Sequence, residues 1–116
     1  MPDSYNPKTW ALAAAAIGGL ALAVPTFAYA IDTELRFQDG RFTPSSIVVA
    51  ANTPFKMRVV NAGKAAIEFE SFELHRERVV QPSETITVHM PSLAPGAYKF
   101  FDDFHRDVPE GVITAK

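Results

Sequence analysis

From Thr33 onward the chain alternates apolar and polar residues in short runs, and each run ends at Gly, Pro, Asn or Ser. A period of two is the signature of strands with one buried face. It predicts strands over 33–38 (TELRFQ), 45–50 (SSIVVA), 54–61 (PFKMRVVN), 66–71 (AIEFES), 84–90 (ETITVHM), 96–101 (GAYKFF) and 110–115 (EGVITA). Turns are marked by Asp39-Gly40, Asn61-Ala62-Gly63, Gln81-Pro82-Ser83 and the stretch from Pro91 to Pro95. No segment of this part keeps a 3.6-residue apolar period over three turns, so helix is minor. Seven short strands with this punctuation predict an all-β, Greek-key sandwich.

The alternation also assigns faces. Phe55, Met57 and Val59 share one side of their strand, and Ile86, Val88 and Met90 share one side of theirs, so both methionines read as core. Ile67 and Phe69 are inward, which sends Glu68 and Glu70 together to the other face. At a rise of ~3.3 Å per residue these two carboxylates stand about 7 Å apart and repel unless a positive charge lies between or beside them. Tyr98 follows a Pro-Gly turn, where its hydroxyl is placed to bond back to the chain as in the tyrosine corner of Greek-key sandwiches.

The first thirty residues break this pattern. Lys8 precedes an uncharged run from Thr9 to Ala30 that closes on Ala28-Tyr29-Ala30. A positive start, an apolar centre and small residues at positions −3 and −1 form a secretory signal peptide over 1–30, cut before Ile31. The run also reaches the ~20 residues of a spanning helix, so an uncleaved anchor is the competing reading. The expected mature domain is 31–116, placed in a bacterial periplasm. It has no cysteine, so no disulfide supports it. With 116 residues in all there is room for one domain, and a net charge of −2 with scattered Lys and Arg gives no footprint for nucleic acid.

Candidate chemistry gathers in "KFFDDFH", Lys99 to His105. Tyr98 and Phe100 face the core, so Asp102 continues that face where the strand ends, and His105 follows in a loop. One Asp and one His at a sandwich rim can reach one ion; without thiolate the donors suit iron, copper(II), zinc or manganese and not a blue-copper arrangement. A solvated Asp-Asp-x-His loop with no metal explains the same residues. Asp103 points away from Asp102. In "FELHRERVV", Phe72 to Val80, the mixed charges read as solvated surface, with His75 a lesser ligand candidate and Glu77 paired with Arg76 or Arg78. His89 faces outward. No Ser or Thr stands in a nucleophile elbow, and a hydrolase or acyl transferase finds no support.

Taken together, "RFTPSSIVVAANTPFKMRVVNAGKAAIEFES", "LAPGAYKFFDDFH" and the closing "GVITA" resemble the single-domain cupredoxin-like proteins that accompany bacterial high-affinity iron permeases. The chain is also similar to the cupredoxin domain of imelysin-type iron-uptake proteins. The resemblance covers nearly all of 31–116 and rests on F-x-P, the strand ending in Asn61, E-F-E at 68–70 and L-x-P-G-x-Y-x-F at 93–100. It implies that Glu68 or Glu70 lies near the place of the first copper-binding His, that Asp102 stands where the Cys would be and that His105 keeps the place of the second His. The ligand set it implies is Glu68, Glu70, Asp102 and His105, with the two glutamates completing one site or forming a neighbouring iron site. The implied cofactors are copper and/or iron, and the implied role is assistance to Fe(II) oxidation before an inner-membrane iron permease. A metal-free interaction module and a copper carrier without redox turnover are the alternatives.

Overall fold

The computed structural model describes Gly18, Gly19, Ala21, Ala23 and residues 31–116, with backbone only for Ile31 and Asp32. The leader expected over 1–30 and its cut before Ile31 otherwise lie outside the described residues. Nine strands are present: β1 (Ile31–Gln38), β2 (Arg41–Thr43), β3 (Ser46–Val49), β4 (Phe55–Asn61), β5 (Ile67–Ser71), β6 (Arg76–Val80), β7 (Thr85–Met90), β8 (Gly96–Asp102) and β9 (Gly111–Ala115). They form a four-stranded sheet in the order β2-β1-β4-β7 and a five-stranded sheet in the order β3-β9-β8-β5-β6. β1 with β4 and β3 with β9 are parallel; the other pairs are antiparallel. No helix occurs among the described residues, so the expected all-β sandwich is what forms.

All seven expected strands are found within two residues of their expected ends. The two extra ones, β2 and β6, are edge strands. Three residues of β2 are too few to show alternation, and only Phe42 turns inward. β6 carries Arg76, Glu77 and Arg78 on a solvated edge, where charge discourages pairing with another chain. Its one fully buried side chain is Val80. The dense charge at 72–80 is therefore half turn and half strand, and mostly exposed as expected.

The inward faces meet as the alternation requires. Leu35, Met57, Val59, Ile67, Phe69, Val88, Phe100 and Ile113 are essentially inaccessible to solvent. Phe42 links the sheets: its ring lies edge-on to Phe37 and to Phe100, each at 5.2 Å between centroids. Such pairs add roughly 0.5–1.5 kcal/mol beyond burial. Gly111 lies against the Phe100 ring so closely that a Cβ there would come within 2.1 Å of Cζ. Tyr98 Oη donates to Ala94 O at 2.7 Å, the expected corner bond.

Two polar side chains fix the strand ends that carry the candidate ligands. Asn61, fully buried, donates through Nδ2 to Ala65 O (2.8 Å) and Val80 O (3.0 Å) and accepts from Gly63 N at 3.0 Å, folding the 62–66 loop that leads into β5. Ser71 Oγ donates to Lys99 O at 2.6 Å and accepts from Leu74 N, tying the end of β5 to β8 and starting the turn into β6.

Candidate metal centre

β5 is covered on both faces. Ile67 and Phe69 point into the core, and Glu68 and Glu70 point to the outer face, where they are 7% and 8% exposed. β6 pairs with β5 so that Glu70 lies opposite Glu77 and Glu68 opposite Val79. Residues directly or diagonally opposite on one face are neighbours. Glu68, Glu70 and Glu77 therefore converge, each offering a carboxylate oxygen within 4.8 Å of the others.

Three carboxylates this close cannot all ionise without cost. Glu68 is pushed up to about 7, first by a hydrogen bond with Glu77, then by burial and the neighbouring negative charges of Glu77, Asp103 and Glu70. In its protonated form Glu68 can donate to Glu77. Glu70 is also raised, mainly by burial and then by Glu77 and Asp103, against an opposing pull from Arg106. A cleft of about 390 Å³ opens beside Glu70 and Glu77, lined also by Ser71, Phe72, His75 and Arg76. His75, the lesser candidate, stands at its mouth in a left-handed backbone conformation (φ 52°).

Asp102 and His105 form a different arrangement. β8 pairs with β5 so that Asp102 faces Phe69, which puts its side chain on the core face. It is completely enclosed. Oδ1 accepts from Glu68 N and Phe104 N, each at 3.0 Å, and Oδ2 is 2.7 Å from His105 Nδ1. The carboxylate accepts, so Nδ1 carries the proton and Nε2 is the open nitrogen. His105 borders a cavity of about 590 Å³ formed with Phe37 to Gly40, Ala62 to Ala65, Asp107 and Val108.

The four residues expected to act together are thus split by the sheet. Glu68 and Glu70 lie on its outer face and Asp102 on its inner face with His105 at the rim; the backbone N–H of Glu68, not its carboxylate, meets Asp102. The period of two contained this separation, since it placed Phe100 and Asp102 inward and both glutamates outward. Glu77, read as a surface ion-pair partner, instead completes the acidic group. The hairpin register would have located it: a four-residue turn from Phe72 to His75 puts Glu77 opposite Glu70. Asp103 points outward as expected, and Met57 and Met90 are core.

The cupredoxin-like domain family matches residues 10–115, and the chain belongs to that family. An uncharacterized protein of Rickettsia prowazekii (strain Madrid E) is 36% identical over 83 residues, a match spanning 72% of this chain and 66% of that protein. Among solved structures, reduced auracyanin from the photosynthetic bacterium Roseiflexus castenholzii has a TM-score of 0.64 at 12% identity, covering 72% of this chain and 95% of its own. Auracyanin A from Chloroflexus aurantiacus, described as a "blue" copper protein, has a TM-score of 0.61 at 12% identity, covering 72% and 98%. These likenesses show a shared fold.

The residues present do not fit a thiolate copper centre. The sequence has no cysteine. Asp102 is enclosed and hydrogen-bonded through both oxygens, and Nδ1 of His105 is taken by Asp102. Oxygen donors for a harder cation lie on the outer face instead.

Proposed function

We propose that this protein is a periplasmic, metal-binding cupredoxin-like component of an iron uptake system, and that it holds iron as cargo on Glu68, Glu70 and Glu77. The observation that carries this reading is the convergence of the three carboxylates within 4.8 Å on one sheet face. Carboxylate oxygens are hard donors suited to iron or manganese, and negative charge favours Fe(III) over Fe(II). Fe(II) bound there is therefore easier to oxidise. One electron passes to an acceptor from outside the chain, copper(II) or dioxygen, and Fe(III) remains on the carboxylates. The ferric permease of the inner membrane as recipient rests on the resemblance alone, and the periplasmic location on the resemblance and on the leader expected over residues 1–30.

A specific observation favours a second reading, a metal-free interaction module: both oxygens of Asp102 and Nδ1 of His105 are already hydrogen-bonded within the chain. The two readings separate in one experiment. The full chain, stripped of metal, is titrated anaerobically with Mn(II) and with Fe(II), alongside Glu70→Gln, Glu77→Gln and His105→Ala. One ion per chain, weakened at least tenfold in both glutamate variants and retained in His105→Ala, is the expected result. Binding that survives both glutamate changes places the ion elsewhere and removes the carboxylate centre; no binding by the parent chain leaves the module.

A further inference from the structure

We propose that Arg106 sets the charge selectivity of the carboxylate centre, as a tethered cation that limits the grip on a trivalent ion more than on a divalent one. This rests on the cation site proposed above.

Arg106 is held at two points. Its guanidinium carbon lies 3.9 Å from the centroid of the Phe101 ring, and Nη1 donates to Asp103 Oδ1 at 3.1 Å. The ring is itself fixed edge-on against Phe72, with centroids 5.2 Å apart. Phe101 lies directly opposite Glu70 in the β5–β8 register, so the ring and the carboxylate share the outer face. A freely moving surface arginine averages its charge over a wide volume; this one is stacked and paired beside the cluster. Arg106 is accordingly felt at Glu70, where it opposes the upward push of burial and of the neighbouring acids.

Glu70 gives the independent sign that the cluster is built for a ligand. It is 8% exposed, borders the cleft, and its carboxylate accepts no hydrogen bond among the described residues. Asp103 adds negative charge felt at both Glu68 and Glu70. Arg106 offsets it. The guanidinium therefore stays beside the carboxylates when a metal arrives, and its repulsion scales with the charge of the ion. A trivalent ion loses one and a half times as much in log affinity as a divalent one. For cargo that enters as Fe(II) and leaves as Fe(III), such a charge keeps release possible at a site whose carboxylates otherwise favour the higher charge.

The test measures affinities of the full chain for Mn(II), by electron paramagnetic resonance, and for Tb(III), by luminescence. Arg106→Gln is expected to tighten Mn(II) by roughly fivefold and Tb(III) by roughly tenfold or more at low salt, with the difference shrinking in 1 M salt. Arg106→Lys keeps the charge and is expected to retain most of the parent ratio, which a loss of stacking alone would not predict. Circular dichroism of each variant reports whether the sandwich is intact. If Arg106→Gln leaves both affinities unchanged, or raises both by the same factor, Arg106 does not set selectivity. Glu70→Gln distinguishes the two levels: if it binds both ions as the parent does, the carboxylate centre itself is wrong, whatever Arg106 does.

Discussion

Asp102 and His105, three residues apart in one turn, are joined by a 2.7 Å contact between Oδ2 and Nδ1, while the other Asp102 oxygen receives the backbone N–H groups of Glu68 and Phe104. One buried carboxylate thus ties the end of β8 to the start of β5 and orients an imidazole. The protein closes the sandwich rim with its own side chains.

This closure predicts that Asp102→Ala destabilises the domain by about 3 kcal/mol or more, since two backbone donors and one imidazole lose a charged acceptor in a buried place. Asp102→Asn is milder and more diagnostic. Its Oδ1 can still accept both N–H groups, but Nδ2 now donates to His105 Nδ1 and moves the imidazole proton to Nε2. Urea unfolding measures the first effect, and imidazole ¹⁵N chemical shifts measure the tautomer switch. Addition of copper(II) to the parent is expected to produce no intense blue absorption, because no thiolate is present.

The pH dependence of stability follows from Glu68. Its folded value is about 7 against an ordinary 4.5, so the folded chain holds a proton that the unfolded chain releases. The stability contributed is complete below about 4.5 and is lost as pH rises through about 7. Glu70 is shifted in the same direction and adds to the trend. The metal-free protein is expected to resist urea better at pH 5 than at pH 8. Glu77→Gln, which removes a repelling charge beside Glu68, should flatten that difference. A parent chain equally stable at both pH values would contradict the raised value of Glu68.

Packing at Gly111 gives a sharper test of the core. A methyl group there would lie 2.1 Å from Phe100 Cζ, and the ring is held between Phe42 and Phe69. Gly111→Ala is expected to cost about 2–3 kcal/mol through overpacking, read as a lower urea midpoint. In the double change with Phe100→Leu the two penalties should fall short of their sum, because the smaller side chain removes the clash.

How far the fold was legible follows from the same residues. Leu35-Phe37, Met57-Val59, Ile67-Phe69 and Phe100-Asp102 each alternate, and the strands carrying them were readable because one face of each packs into the core. β2 and β6 were not, since an edge strand need bury only one side chain, Phe42 in one case and Val80 in the other. The site was half legible. E-F-E announced two carboxylates on one face, but the third came from β6, whose existence depends on hairpin register. Asp102 and His105 looked like ligands because donor type is visible in a sequence, whereas the partners that saturate a donor are set by strand pairing.

Asn61 sits outside the acidic group yet sets where β5 begins. Its amide donates to Ala65 O and Val80 O and accepts from Gly63 N, all with the side chain fully buried. Asn61→Ala leaves two carbonyls and one N–H without that partner and is expected to cost about 2–3 kcal/mol. Asn61→Asp is expected to cost more, although it is closer in shape, because a carboxylate turned toward two carbonyl oxygens repels where the amide donated. Both changes loosen the 62–66 loop and the Val80 end of β6, so Mn(II) affinity at Glu68, Glu70 and Glu77 should fall with stability, and in the same order. Urea unfolding together with a Mn(II) titration checks both. A ranking in which Asp is tolerated better than Ala would mean that the amide donors are not what holds the loop.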